Sequence, residues 1–231
     1  MIVVCVPLYN RGADITYLLG RIKEILDGNP ADVSVNIGDY SSTDVDLEHL
    51  KEKFDYKINI IDIEGKFSRA GGLHYSSMRA VERSDPDTII FHCDADMHLP
   101  DDIFTKIKQH TKNGETFYVP IYGFECVDGE VEFYEHGGKG NLSLYSGDYR
   151  RFVAGGGYGD MVFKTTWGEE DHYIYENLIK ILDPVRIPEP GFYSRWHKRE
   201  QSDWYSSKMI NKYSDPNTPK HAGGKRWWVG C

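Results

Sequence analysis

Strand-like and helix-like segments alternate three times between Ile2 and Asp94, and that order leaves few folds open. Residues 2–6 are an unbroken apolar run, the mark of a strand buried on both faces, as in a parallel sheet. Pro7 stops that ladder. Asp14 stands where it can cap a helix whose apolar residues, Ile15, Leu18, Leu19, Ile22, Ile25 and Leu26, fall on one stripe. Gly28-Asn-Pro30 ends it. Val33, Val35 and Ile37 alternate as a second strand, 45–54 reads as a second helix, and 58–63 as a third strand. The loop 64–72 then opens a third helix that runs to about Val81, before a fourth apolar run from Thr88. The pattern predicts a doubly wound α/β sheet with the post-strand loops along one edge.

The fourth run ends abruptly in two carboxylates one residue apart, Asp94 and Asp96. Open α/β sheets bind ligands at the carboxyl ends of their strands. Hard oxygen ligands there suit Mg²⁺ or Mn²⁺, and such a metal can neutralise a diphosphate. A bare Asp-x-Asp is also common in solvated loops, so the pair takes its meaning from the rest of the chain.

The 231 residues suffice for one sizeable core and are read as one domain with two lobes. Hydrophobic residues make up 40% and aromatics 13%, the balance of a globular chain. The net charge of -9 argues against a nucleic-acid partner, which calls for a basic face, but leaves room for an anion in a local basic or metal-lined pocket. None of the four cysteines, Cys5, Cys93, Cys126 and Cys231, forms a CxxC pair, so a zinc ribbon is not expected. Free thiols in a reducing compartment are the simplest reading. No apolar run approaches roughly 18 residues and the amino terminus lacks a signal-peptide pattern. The expectation is a soluble, cytoplasmic chain with no membrane span.

Past Pro100 the pattern loosens. Ile103, Phe104 and Ile107 predict a helix, 116–120 a strand, and 124–134 a hairpin around Asp128-Gly129. Residues 136–159, rich in Gly and Tyr, read as a long loop beside a site, and 161–163 as a short strand. Trp167-Gly-Glu-Glu-Asp171 opens a helix with Ile174, Leu178, Ile181 and Leu182 on one face, and 185–187 is a last strand. The tail 195–231 is polar and receives no assignment.

Several motifs are absent. Gly138-Lys139-Gly140 lacks the earlier glycine and the Ser or Thr of a P-loop, and no GxGxxG follows the first strand. There is no GxSxG elbow and no HExxH. What remains is a set of acids and histidines. Glu169, Glu170 and Asp171 stand at a helix start, where the positive end of the dipole keeps an acid ionised. An ionised acid is what a general base needs to take a proton from a hydroxyl. First-turn acids also serve stability alone, but Trp167-Gly168 before them supplies the aromatic and tight turn of a pocket for a flat ligand face. His197 is the foremost candidate for a histidine metal ligand. His92 reads as a core residue, and His98 ranks below His197.

In this order the motifs resemble the GT-A glycosyltransferases, especially inverting β-1,4-galactosyl- and N-acetylgalactosaminyltransferases and chondroitin-polymerase-type domains. Pro7-Leu-Tyr-Asn-Arg11, Asp39 with its Ser/Thr turn, Phe67-Ser-Arg-Ala70, Asp94-Ala-Asp96 and Trp167-Gly-Glu-Glu-Asp171 carry the likeness, and His197 stands where the family places a late metal-binding histidine. The resemblance implies a mixed, mainly parallel central sheet with a smaller acceptor-side lobe, residues 1–100 binding nucleotide and 101–231 the acceptor. It implies that Pro7, Tyr9 and Arg11 border the uridine and its phosphates, and that Asp39 contacts uracil or ribose. Arg69 would meet the nucleotide, with Phe67 and Ala70 fixing its turn. Asp94 would face the ribose or a metal-bound water, Asp96 would bind Mn²⁺ (or Mg²⁺) directly, and His197 would complete the metal shell. Asp171 would be the base, with Glu170 and Trp167 on the acceptor side. Gly155, Gly156 and Gly157 would line the donor sugar, where a side chain would collide with it. Glu169 replaces a frequent glycine and Ser68 a frequent asparagine, departures that bear on acceptor and donor identity.

The implied activity is metal-dependent transfer of a hexose or N-acetylhexosamine from a UDP-sugar to a glycan hydroxyl, with inversion. Two rival readings stay open. A nucleotidyltransferase shares the sheet and the metal acids but calls for a Gly-rich, basic loop after the first strand, of which 8–11 is a poor version. A carbohydrate-binding module would use Trp196, Trp204, Trp227 and Trp228 as stacking platforms.

Overall fold

Apolar runs that alternate between two helix-covered faces build the central sheet. The computed structural model describes residues 1–83, 85–133, 138–163 and 169–196. In chain order it forms β1 (Ile2–Leu8), α1 (Gly12–Gly28), β2 (Val33–Asp39), α2 (Leu47–Glu52), β3 (Lys57–Asp62), α3 (Arg69–Arg83) and β4 (Ile89–His92). The second half adds β5 (Met97–His98), α4 (Ile103–His110), β6 (Thr116–Glu125), β7 (Val131–Phe133), β8 (Ser143–Tyr145), α5 (Ser146–Ala154), a 3-10 turn (Gly159–Phe163), α6 (Glu170–Leu178) and β9 (Asp183–Ser194).

The strands join in one sheet of order β3-β2-β1-β4-β8-β6-β9-β5, with β7 paired to β6. β1 is parallel to both β2 and β4, and β2 to β3, as the alternation predicts. β8 turns the sheet antiparallel next to β4. Every residue of β1 is buried because its alternate side chains serve different cores. Ile2, Val4, Val6 and Leu8 pack with Ile15, Leu18 and Leu19 of α1, while Val3 and Cys5 pack with Ala70 and Ala80 of α3 and Tyr149 of α5. Each fully buried aliphatic side chain of this kind contributes about 1.5–3 kcal/mol. No described helix is long and apolar enough to cross a membrane.

Several boundaries differ from the sequence reading. α1 begins at Gly12, so Asp14 lies inside its first turn and caps nothing. The first helical N–H is instead satisfied from outside, by Asp44 Oδ2 at 2.8 Å from Gly12 N. α2 is shorter than 45–54 and is capped by Asp46, which accepts from His49 N at 3.0 Å. Much of the supposed long loop 136–159 is regular: β8 pairs with β4, and α5 buries Tyr149 and Phe152, so its aromatics are core residues. Residues 161–163 form part of a 3-10 turn, not a strand, because Gly159 at φ 51° starts a tight turn there. α6 stops at Leu178, although Leu182 beyond it is still buried. The expected hairpin is present, with Gly129 at φ 87° in its turn. Cys5 and Cys93 are free and buried, but Cys126 is disulfide-bonded, which corrects the free-thiol reading at that position. It sits at the end of β6 in a hairpin turn, outside the apolar runs that shelter the other two.

Candidate active site

The carboxyl ends of β1 and β2 carry two turns that clasp each other. Asn10 at φ 48° and Ser41 at φ 57° are the two non-glycine residues with positive φ among those described. Asn10 N donates to Ser42 Oγ at 3.0 Å, and Thr43 N donates to Asn10 Oδ1 at 2.9 Å. Asp39 accepts from Ser42 N at 3.2 Å and from its hydroxyl at 2.5 Å. The Phe67 ring stacks on Tyr9, with centroids 6.0 Å apart and 21° between planes, and takes Tyr40 edge-on at 5.4 Å. Tyr9 is 48% exposed, so the pair makes an aromatic ledge open to solvent. α3 abuts the strand ends at backbone distance: a Cβ at Gly72 would stand 2.6 Å from Pro7 Cβ, and one at Gly38 would stand 2.7 Å from Gly72 O. Pro7, Tyr9, Asp39 and Phe67 thus meet at one edge, with Arg11 beside them, 3.4 Å from Asp14.

Ser68 caps α3 by accepting from Gly71 N at 3.1 Å, which makes Arg69 the first helical residue. This is a physical role that the asparagine it replaces could also fill. Arg69 grips Asp94 with both arms, Nε to Oδ1 at 2.6 Å and Nη2 to Oδ2 at 2.9 Å. Its remaining nitrogen, Nη1, donates to Asp171 and lies 3.6 Å from Glu170 Oε1. The guanidinium side chain is only 9% exposed. Burial alone would favour discharging it, but Asp171, Asp94 and Glu170 more than offset that and hold its pKa well above the usual value. Burial pushes Asp171 up to about 6, against the opposing pull of Arg69 and with the help of Glu170 and Asp94. The environment of Asp171 is therefore shaped by desolvation, one guanidinium and two neighbouring carboxylates. Asp94 is raised in the same way.

The backbone around this cluster comes from residues 138–141, part of the segment read as a loop beside a site, in which neither Gly140 nor Asn141 is singled out by the sequence. Asn141, fully buried, accepts from Asp94 N at 3.0 Å. A Cβ at Gly140 would overlap Asp171 Oδ1 and stand 2.5 Å from Arg69 Nη2, so a side chain there would push the ends of Asp171 and Arg69 aside. Tyr122 is buried within the field of Asp171, Asp94 and Asp96, and burial first and those charges second push its hydroxyl pKa up. A glycine-lysine-glycine-asparagine run just before a strand was the available signal.

Asp96 faces a different neighbour. Ser194 Oγ donates to its Oδ2 at 3.1 Å, and Arg195 N donates to its backbone oxygen at 2.8 Å. The β5–β9 ladder, Met97 opposite Ser194 and His98 opposite Tyr193, thereby carries the chain past Asp96 to Trp196. His197 and Trp167, both named from sequence, lie outside the described residues. Among the described residues no three His, Cys, Asp or Glu side chains converge as a metal shell. Asp94 and Asp96 are hard oxygen donors, which suits Mn²⁺ or Mg²⁺ in kind. The cation beside Asp94 here is the Arg69 guanidinium. His92 is a core residue as expected: buried, within 2.8 Å of the Ser77 hydroxyl, and held neutral by burial down to about pH 3. His98 is engaged with the Tyr17 hydroxyl at 2.5 Å and stacks on Tyr193 at 4.6 Å.

Gly156 and Gly157 are also required by the backbone, whatever they do for a donor sugar. They take φ of 112° and 52° at the end of α5, where Gly157 N donates to Phe152 O. A Cβ at Gly156 would meet no protein atom within 4 Å, so its positive φ is the constraint the fold itself imposes. Both are helix-terminating residues.

The description "chondroitin N-acetylgalactosaminyltransferase" belongs to the family model that matches residues 34–215. The chain belongs to that family. It is 28% identical over 167 residues to mouse N-acetyl-beta-glucosaminyl-glycoprotein 4-beta-N-acetylgalactosaminyltransferase 1, a match that covers 70% of this chain and 16% of the relative. This family member thus spans about a sixth of that relative's length. Staphylococcus aureus TarS 1-349 superposes with a TM-score of 0.61 at 12% identity, over 84% of this chain and 60% of that one. A Drosophila β1,4-galactosyltransferase 7 variant, solved with manganese, UDP-Gal and xylobiose, gives 0.54 at 13%, over 91% and 79%. At such identities the likeness is one of fold, and it bears out the GT-A architecture.

Proposed function

We propose that this family member is a metal-dependent glycosyltransferase that moves a hexose or N-acetylhexosamine from a UDP-sugar to a glycan hydroxyl with inversion. The observation that carries the reading is Arg69, which joins the strand-end Asp94 to the helix-start Glu170 and Asp171 around one buried charge. A nucleotide edge and a proton-accepting edge thereby share one crevice.

On the donor side, the Tyr9–Phe67 ledge offers a face for the uracil, Asp39 and its turn border the ribose, and Arg11 stands near the phosphates. On the other side, Asp171 takes the proton of the acceptor hydroxyl while that oxygen forms its bond to the anomeric carbon. The bond from that carbon to the diphosphate oxygen breaks, and UDP leaves with the electron pair. A pKa near 6 leaves Asp171 mostly ionised at neutral pH yet basic enough to share a proton. Glu170 and Trp167 are proposed to meet the acceptor. Asp96, with Asp94 and His197, would hold Mn²⁺ or Mg²⁺, which supplies Lewis-acid stabilisation to the departing diphosphate. In kind, the family match and the manganese and UDP-Gal of the Drosophila neighbour support this reading.

The test is UDP release from a panel of UDP-sugars, with and without Mn²⁺. Asp171→Asn should lower transfer by about 10²–10⁴-fold while UDP still binds. Loss of UDP binding in that variant would make Asp171 a structural acid. For the unmodified chain, kcat/KM should fall about tenfold per pH unit below about 6, as Asp171 is protonated in the free enzyme.

A further inference from the structure

Residues 138–141 run as a strap between the sheet and α6. A Cβ at Gly138 would overlap the Tyr122 hydroxyl, so the strap lies against a β6 side chain at backbone distance. Asn141 is fully buried and accepts from Asp94 N at 3.0 Å, while its own amide reaches Met97 Sδ at 3.7 Å. Between them, Gly140 lies against Asp171 and Arg69. Lys139 carries the longest side chain of the four and turns it to α6. Its Nζ stands 4.1 Å over the Tyr175 ring and 3.7 Å from Glu176 Oε1. Asp171 and Tyr175 are four residues apart, so they lie one turn apart on the same face of α6. Adjacent residues of the strap therefore meet successive turns of one helix face, Gly140 at the proposed base and Lys139 a turn further on.

The two contacts of Lys139 are unequal. The Glu176 side chain is 58% exposed, and an ion pair in such a place contributes little. The ring is the stronger partner. Tyr175 is half-buried, with Phe117 of β6 edge-on to it at 5.7 Å, and the lysine above it is itself largely shielded from water, which strengthens the pull of the ring face on the cation. Arg186 also reaches this ring, at 5.8 Å, but Lys139 is the nearer cation. Tyr175 thus touches both the sheet and the strap, and its contacts fix how α6 is turned relative to Gly140. We propose that Lys139 is a positioning residue, holding α6 by the Tyr175 ring in the rotation that sets Asp171 against Arg69. This rests on the transferase reading and adds a residue that acts through Asp171 without touching substrate. The charges that weigh most on Asp171 are those of Arg69, Glu170 and Asp94, so Lys139 acts by placement.

Four single substitutions in the full chain separate the outcomes. Lys139→Met keeps the length of the side chain and removes the cation, while Lys139→Arg keeps the cation. Tyr175→Phe keeps the ring face, and Tyr175→Leu removes it. UDP release from UDP-N-acetylgalactosamine with Mn²⁺, water serving as acceptor, gives kcat, and calorimetry gives the Kd for UDP. Lys139→Met and Tyr175→Leu should each lower kcat about tenfold and leave the Kd for UDP unchanged. Lys139→Arg and Tyr175→Phe should stay within about twofold of the unmodified chain. The double substitution Lys139→Met, Tyr175→Leu should be about as slow as either single one, because both remove the same contact. Amide hydrogen exchange should quicken about tenfold in α6 of Lys139→Met and stay unchanged in α1. A kcat for Lys139→Met within about twofold of the unmodified chain overturns the proposal. So does an equal loss of UDP affinity, a tenfold fall that Lys139→Arg shares, or losses that multiply in the double variant. If the unmodified chain releases no UDP, the transferase reading fails and exchange alone decides the role of Lys139: unchanged protection of α6 in Lys139→Met overturns it.

Discussion

The two sides of the proposed site are held by different means. On the donor side, Asn10, Asp39, Ser42, Thr43 and Asp44 hold one another through short hydrogen bonds between two adjacent turns, none linking residues more than 33 apart in sequence. On the proton-accepting side, Glu170 and Asp171 are tied to the sheet through Arg69, which precedes Asp171 by 102 residues. The first arrangement forms as soon as β1 and β2 pair. The second exists only when three separate segments have docked, and it gathers three carboxylates that repel one another without the guanidinium. Turn geometry thus sets the proposed nucleotide edge, while one counterion sets the proposed catalytic edge.

Removing that counterion is the largest test of the contrast. Arg69→Met should leave Asp94, Glu170 and Asp171 facing each other without a cation, at a cost of about 3–5 kcal/mol. For a chain of this size that lowers the melting temperature by roughly 6–20 °C. Arg69 holds the pKa of Asp94 and Asp171 down, so in the variant both rise further above their unfolded values. The folded variant then binds more protons than the unfolded chain, and its stability should recover as pH falls through those raised values. A melting temperature within about 2 °C of the unmodified chain at neutral pH would mean that the acids are placed by something other than Arg69.

A methyl group makes the second test. Gly140→Ala puts a Cβ onto Asp171 Oδ1 and close to Arg69 Nη2. Displacing the base by about an ångström should cost transfer on the order of 10²-fold, with far less effect on UDP affinity. The same substitution at Gly20, inside α1 on the donor half, meets nothing within 4 Å and should stabilise the chain by about 0.5–1 kcal/mol without touching activity. If the two alanines behave alike, the catalytic edge is not the tightly built region described above.

What the sequence disclosed follows the same division. The strands and helices of the first half announce themselves through apolar runs and one helical stripe, because both faces of β1 are buried and each run is short and unbroken. Pro7, Tyr9, Asp39 and Phe67 could be placed at one edge because they stand at the carboxyl ends of those strands or in the loops that leave them. Asp171 could be singled out by its neighbours, but its partner could not: nothing local to Arg69 says that its side chain will bridge to two distant acids. Gly140 and Asn141 were missed for a related reason, since a glycine that avoids a collision looks like any loop glycine until the colliding atoms are known. Residues 136–159 read as loop because Gly and Tyr are frequent there, yet Tyr149 and Phe152 are core, in the helix that follows the pairing of β8 with β4.

The smallest effect probes the donor edge itself. Asn10 combines a left-handed backbone with a carboxamide that accepts from Thr43 N, so two substitutions separate the contributions. Asn10→Gly keeps the backbone conformation without strain and removes the acceptor, which should cost about 1 kcal/mol, the net worth of one such bond. Asn10→Ala removes the acceptor and with it the carboxamide that eases a left-handed backbone, so its β-carbon costs roughly another 1 kcal/mol relative to Asn10→Gly. Denaturant midpoints measure both. UDP affinity should weaken in the same order, because the clasp that orients the 8–11 turn also holds Ser42 against Asp39. Neither variant should move the pH profile governed by Asp171, since the hydrogen bonds of Asn10 go to Ser42 and Thr43 and not to Arg69, Glu170 or Asp171. A shift in that profile on changing Asn10 would show that the edges are coupled, and the division between a locally folded donor side and a counterion-held catalytic side would have to be given up.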